Sequence, residues 1–391
     1  MPLPAPTRLL RRIGLIVISL LLCSAASADE GFKTLQVGPL RTIKTIAAAA
    51  KLAGDNTIID VDAGDYLGDV AVWTQANIRL RAVGGRVRLR ADGQAAEGKG
   101  IWVVRSAQFS VEGFDFSDAR VPSRNGAGIR FESGRLLVRD CSFTYNEMGL
   151  LTNNDGQAVL EVENSEFAHN NRPDGHNHNL YIGRIAHATV TGSYFHHAQT
   201  GHLLKSRATL NHILYNRLTD DGGSASYELE FPNGGVAVVL GNIVQQGPLT
   251  ENPAVISFGA EGYVWPSNQL YLVNNTLVDD LPSGGSWLRV KPGADSVLAV
   301  NNLLVGPARL QPSTPGDFRN NFNVDRSAFQ PGGSYRLRST AAVLGKAIDL
   351  GNNDGQDLRP QREYIHSAQT RALDIAPHNP GAMQQLKAPA P

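Results

Sequence analysis

The sequence predicts an all-β fold: a single-stranded, right-handed parallel β-helix, or solenoid, with an N-terminal capping helix. Three observations predict it. One short motif recurs along the chain, its copies follow one another at a near-regular spacing, and an amphipathic segment precedes the first copy. The recurring segments include "FSVEGFDFSD" (109–118), "LLVRDCSFTYN" (136–146), "LEVENSEFAHN" (160–170), "ATVTGSYFHHA" (188–198), "ATLNHILYNRL" (208–218), "AVVLGNIVQQG" (237–247), "LYLVNNTLVDD" (270–280) and "VLAVNNLLVGP" (297–307). Each has an apolar strand, a turn marked by Asn, Gly or Asp, and a second short strand. A two-strand unit recurring every ~20–30 residues cannot bury its apolar side alone, but stacked copies can. The turns need a left-handed or tight backbone, which Asn and Gly tolerate. Leucine-rich repeats would show a regular Leu pattern and recurrent helices. A propeller would need longer units of four strands.

The chain before the repeats divides in two. Residues 1–28 read as a signal peptide: Arg8, Arg11 and Arg12 form a basic start, "IGLIVISLLL" is apolar but too short to span a bilayer comfortably, and Ala26-Ser27-Ala28 is a small-residue cleavage pattern. An exported protein, periplasmic or secreted and free of the membrane after cleavage, is expected. In "RTIKTIAAAAKLAGDNTIIDVDAGDY", Ile43, Ile46 and Ala50 sit at helical spacing, Gly54 stops the helix and "TIIDV" opens the first strand. That helix should plug the N-terminal end of the core, since solenoids need capped ends. The β-helix with its cap is assigned to 29–345, and 346–391 to an extended, polar, Pro-containing tail, loose after Ala382, whose His366 and His378 lie outside any site.

Composition narrows the function. Net charge is zero and charged residues are 18% of the chain, so no global field draws in nucleic acid, and an anion site must be locally basic. A monomer acting on an acidic polysaccharide is expected. Cleavage of the signal removes Cys23 and leaves Cys141 alone, at a position that is apolar in similar segments and reads as a buried structural thiol.

Of ten histidines, eight fall between His169 and His212. Stacking brings "NHNLYIG", "TGHLLKSRA" and "ASYELEFPNGG" onto adjacent coils, ~4.8 Å apart. Strict alternation then sorts the faces. With Leu180, Ile182 and Leu204 inward, Asn179, Tyr181 and Lys205 point out. With Tyr227, Leu229 and Phe231 inward, Glu228 and Glu230 point out. This outer face suits β-elimination on a uronate, which needs a carboxylate neutralised, a base for the adjacent C–H and an acid for the departing oxygen. Lys205 is the candidate base, and Arg207 or Arg184 the carboxylate fork. Tyr181 or His202 is the candidate acid, and Glu230 orients Lys205 or binds a sugar hydroxyl. His176, His178, Asn179, Arg184, Glu228 and Asn233 are candidate substrate-binding residues, Asn233 through a tight turn with Gly234 and Gly235.

Plainer readings stand beside these. Lys205 and Arg207 can be a solvated flank, and Tyr181 can simply cover a strand. His169, His187, His196, His197 and His212 read as structural turn residues. A zinc or copper site from His176, His178 and His202 has no diagnostic spacing, so no metal ligand is assigned. Calcium stays open through Asp220, Asp221 and Glu230, without a ligand motif. A glycoside hydrolase using paired carboxylates, a uronate epimerase sharing the proton-abstraction step, and a non-catalytic glycan-binding β-helix are the alternatives. Scattered Trp73, Trp102, Trp265 and Trp287 do not favour the last.

Two resemblances bear on this. Gly54, Asp55, Ile58, Ala63, Gly64 and Tyr66 form a helix-stop, strand and turn that resembles the opening of pectate-lyase-like β-helix proteins, and the likeness covers most of 34–345. It implies the fold, in a superfamily of lyases, hydrolases, esterases, epimerases and binding proteins. The stretch 175–262 resembles its exported bacterial members. "LLKSRATLNHILYNRL" is similar to the Lys-Ser stretch of β-helix alginate and chondroitin lyases, which implies a base at Lys205 alone. The arginine those families carry on the following coil is replaced here by Glu228 and Glu230.

Overall fold

A computed structural model describes residues 31–172, 174–310 and 316–387. The predicted signal segment lies outside the described residues. The chain winds as a right-handed parallel β-solenoid. One sheet has ten strands, one per coil, running from Ala71–Trp73 through Met148–Thr152, His178–Ile182, His202–Ser206, Tyr227–Phe231 and Ala254–Phe258 to Arg309–Leu310. The strands flanking the repeat turns pair in parallel in the same way, for example Leu210–Leu214 with Val236–Leu240 and Arg217–Thr219 with Ile243–Gln246.

The repeat motif has a physical explanation. The turn residue is left-handed in successive copies: Asp140, Asn164, Gly192, Tyr215, Gly241, Asn274, Asn301 and Asn320 all have φ between 47° and 68°. From Asn164 onward, the next residue turns its side chain inward and accepts a hydrogen bond from the backbone one coil back. Asn216 N donates to Asn242 Oδ1 (2.8 Å), Asn242 N to Asn275 Oδ1 (2.9 Å) and Asn275 N to Asn302 Oδ1 (2.8 Å). Ser165 and Ser193 continue this ladder, and Cys141 N donates to Ser165 Oγ at 3.1 Å. These side chains satisfy buried amides that the bend withdraws from the sheet. Cys141 is buried, and burial pushes its thiol up to about 12, so it is inert.

Inside, Phe116, Phe143, Phe167 and Phe195 stack coil upon coil with centroids 4.8–5.0 Å apart. Trp73, Trp102 and Trp287 are fully buried. The helix Ile46–Leu52 begins at Thr45, whose hydroxyl accepts from Ala48 N (3.1 Å), and Asp69 accepts from Ile46 N and Ala47 N. Ile46, Ala49 and Ala50 join the main core. Ile43 lies before the helix and bridges to Val37 instead. Among the described residues no helix is long and apolar enough to cross a membrane.

Residues of 346–387 form two small antiparallel pairs, and Tyr364, Ala382 and Met383 pack on Ile243, Val278, Leu303 and Val305. Order does not end at Ala382. Glu363, fully buried, pairs with Arg336 at 2.9 Å and Arg371 at 2.5 Å, and accepts from Gln384 N and Gln385 N.

Candidate active site

The ten-stranded sheet departs from strict alternation, and this decides which side chains face outward. Each central strand bends at its second residue. Leu203, Glu228 and Val255 precede the register-paired Leu204, Leu229 and Ile256, and all six are buried. Two successive residues therefore point inward, and those on either side of them point out. One outer column runs Met148–His178–His202–Tyr227; the next runs Leu151–Tyr181–Lys205–Glu230–Ser257.

Three expectations are corrected by this bend. Tyr227 is on the outer column, its ring stacked on His202 at 5.2 Å. Asn179 is fully buried, accepting from Asn170 Nδ2 (2.8 Å) and donating to His196 O (2.9 Å), so it cannot meet a substrate. Glu228 is fully buried with neither carboxyl oxygen hydrogen-bonded, and burial, then neighbouring Asp220 and Asp279, push it well above the usual carboxylate range. It is part of the interior, not of the outer face. Arg184 is exposed beyond the strand His178–Ile182; its backbone N–H donates to Asn154, and its side chain joins none of the bonds described below.

The other candidates come together. Lys205 Nζ lies 2.9 Å from Glu230 Oε2 and 3.1 Å from Glu261 Oε1. Arg207 clasps Glu261 with both terminal nitrogens, at 2.6 and 2.9 Å. Its Nε donates to Tyr181 Oη (2.8 Å), and one terminal nitrogen also donates to Asn233 Oδ1 (2.6 Å). Asn233 is buried and donates to Gly262 O, so it fixes the guanidinium and is not presented to solvent. His202 Nε2 is 3.3 Å from Glu230, and its Nδ1 is 2.8 Å from His178 Nδ1. With both nitrogens engaged and its side chain 12% exposed, His202 holds the floor of the site and does not offer a proton to a ligand.

Charges follow from these contacts. Burial raises Glu230 above the ordinary carboxyl range, against the opposing pull of Lys205. The Arg207 hydrogen bonds, with help from Lys205, hold Glu261 down at about 2. Burial, then Lys205, depresses His202 to about 3, so it is neutral. Burial, then His202, pushes His178 well down. The result is a buried glutamate, Glu230, and a half-exposed one, Glu261, either side of the Lys205 side chain.

An open cleft of about 340 Å³ borders this cluster at Tyr181 and His178. Arg130, Arg172 and His176 also line it. His176 is exposed and sits beside Asp174. Arg172 is paired with Asp174 (2.5 Å). Arg130 Nε is buried without a hydrogen bond, its nearest carboxylate oxygen, on Glu132, being 3.9 Å away. A larger groove of about 700 Å³ elsewhere contains Arg86 and Arg88, but these are already paired with Asp115, Asp140 and Asp65. It holds none of the clustered groups, so the smaller cleft is the relevant one.

Sequence reasoning missed Glu261, Arg130 and Arg172. Glu261 sits in a turn after Ala254–Phe258, with its N–H on Pro232 O and Gly262 N on Gly259 O. Gly259 has φ 80°, and a Cβ there would run into the Tyr263 ring. Following the stack one coil beyond Glu230 would have reached "FGAEG", whose only charged residue is Glu261. The calcium alternative does not assemble. Asp220 is buried and accepts from Ala225 N, Asp221 accepts from Tyr194 Oη, and Glu230 faces Lys205.

No protein-family model matches the chain, and no curated protein does. Among solved structures, the pectate lyase Pel9A superposes with a TM-score of 0.57 at 13% identity, over 86% of this chain and 98% of that one. A pectin methylesterase in complex with a hexasaccharide gives a TM-score of 0.33 at 11% identity, over 72% of this chain and 80% of that one. The chain has the pectate-lyase-like parallel β-helix fold.

Proposed function

We propose that this protein is an exported enzyme that cleaves a uronic-acid-containing glycan by β-elimination at the Lys205–Arg207–Tyr181 cluster. One observation carries the reading: Arg207 and Lys205 already form a fork that holds a carboxylate. Glu261 occupies it, with three charge-assisted contacts between 2.6 and 3.1 Å. A substrate uronate would displace Glu261 and take its place on Arg207, freeing Lys205 Nζ. Its carboxylate would then be neutralised, which acidifies the C–H beside it.

The proton balance runs through named atoms. Lys205 passes a proton to Glu230, whose neutral form burial favours and which lies 2.9 Å away. The free amine takes the proton from the carbon beside the carboxylate. The electron pair forms the C=C bond and expels the glycosidic oxygen, which receives the Tyr181 hydrogen. Tyr181 Oη accepts from Arg207 Nε, leaving its own hydrogen free to donate. Arg130 in the adjoining cleft, whose Nε makes no hydrogen bond, would face a neighbouring uronate. Among the acidic and neutral glycans that test this, a uronate polymer should yield products absorbing in the ultraviolet, and Lys205→Ala should abolish them without unfolding the protein. New reducing ends without that absorbance would replace elimination by hydrolysis.

A hydrolase is the second reading, and one observation favours it. Glu230 and Glu261 both touch Lys205, and their environments push them in opposite directions, the pattern of a paired acid and nucleophile. Against it, the Glu230 side chain is only 4% exposed beneath Lys205 and has no path to a glycosidic oxygen.

The proposal includes export by residues 1–28, to be checked by N-terminal sequencing of secreted protein, with Asp29 expected first. It also includes closure of the N-terminal mouth of the core by the helix Ile46–Leu52, supported by its buried apolar face.

A further inference from the structure

The remaining histidines form a second cluster away from the cleft. Glu166–Ala168 and Tyr194–His196 are paired strands on consecutive coils, with Ala168 opposite His196. His169 and His197 follow them, both in the left-handed region (φ 55° and 48°), so the same turn is repeated one coil apart and their rings superpose. The centroids are 4.5 Å apart, and His169 also stacks on Tyr145 at 5.0 Å. His196 meets both rings edge-on. One ring nitrogen from each of His169, His196 and His197 lies within 4.8 Å of the other two.

We propose that His169, His196 and His197 form a zinc-binding site. The tautomers support it. His196 Nε2 is 2.9 Å from Glu166 Oε1; a carboxylate only accepts, so Nε2 carries the hydrogen. Nδ1 of His196 is then a bare lone pair, and it faces His197 Nδ1 at 2.6 Å. Two imidazole nitrogens this close need a proton or a cation between them. Among the described residues, the ring nitrogens of His169 have no hydrogen-bond partner, though the ring is half-buried. Glu166 behind His196 is the carboxylate–histidine arrangement that orients metal-bound imidazoles. Zinc holds nitrogens at ~2.0–2.1 Å, and so ~3.3 Å from one another in a tetrahedron; the half-buried His169 and His197 rings would turn toward Nδ1 of buried His196 to reach that spacing. Imidazole donors suit zinc over calcium or magnesium. Three nitrogens leave a fourth position for water.

The test is titration of chelator-stripped full-length protein with Zn2+, and with Co2+ as a spectroscopic probe. One equivalent should bind, Co2+ should develop tetrahedral visible bands, and Zn2+ should raise Tm because the site ties two coils together. His169→Ala and His197→Ala should each weaken binding at least tenfold and remove the Tm rise, with unchanged circular dichroism. The double variant His187→Gln/His212→Gln, which removes another close imidazole pair (3.2 Å), should bind as the native chain does. No stoichiometric binding by the native chain, or equal loss in the His187/His212 variant, would overturn the assignment.

Discussion

Replacing Glu261 with Gln isolates the role given to the carboxylate fork. The change keeps shape and removes a charge that is present at every working pH, since Arg207 holds Glu261 at about 2. In the resting site Glu261 competes with substrate for Arg207 and Lys205. A charge-assisted hydrogen bond contributes about 1.5–3 kcal/mol when buried. The Glu261 side chain is 46% exposed, and exposed ion pairs contribute at most ~1 kcal/mol. With two cations engaged, the competition amounts to about 1 kcal/mol, or roughly a fivefold change in affinity. Glu261→Gln should therefore bind uronate oligosaccharides about fivefold more tightly in calorimetric titration. KM should fall by a similar factor while kcat stays near its native value. Weaker binding together with loss of turnover would refute the reasoning, because Glu261 would then be a working group and the hydrolase reading would gain.

Tyr181→Phe, which removes the proton donor and leaves the ring stacked on His178, should lower kcat by about 10²–10⁴, read in initial rates, with KM changed far less. Asp220, pushed up to about 6 by burial, and Glu228, raised well above the ordinary range from the same cause, keep their protons in the fold to higher pH than in the unfolded chain. The native state thus binds more protons, so their contribution is full below the unfolded carboxyl value of ~4. It is lost as pH rises through their folded values. Glu228→Gln should flatten the decline in Tm above pH ~4 and be the more stable protein at alkaline pH; a steeper decline would contradict this. Glu363→Ala should destabilise the protein by about 3–5 kcal/mol in denaturant melts, because it leaves Arg336 buried and unpaired.

The repeat was legible because its physics is local. A left-handed turn recurs in each copy, followed by an inward Asn or Ser in six of the eight, and Asn, Gly and Asp mark it in the sequence. Register followed from the motif, so Tyr181, Lys205 and Glu230 were expected on neighbouring coils, and they share one column. The outer face was only half legible. Alternation holds for a straight strand, but these strands bend between their second and third residues. Period-two counting therefore sent Asn179 and Glu228 outward and Tyr227 inward, each the reverse of what the bend imposes. Glu261 was missed because its partner Arg207 is 54 residues earlier and only folding joins them. The three clustered histidines read as turn residues individually; their convergence depends on two identical left-handed turns being stacked.

Cleavage of a uronate glycan in oxygen-18 water tests elimination at the Lys205–Arg207–Tyr181 cluster most directly. The account predicts fragments with an unsaturated non-reducing end and no oxygen taken from solvent at the broken bond, formed by the native chain and not by Lys205→Ala. One solvent oxygen per cleavage, or undiminished unsaturated product from Lys205→Ala, would contradict it.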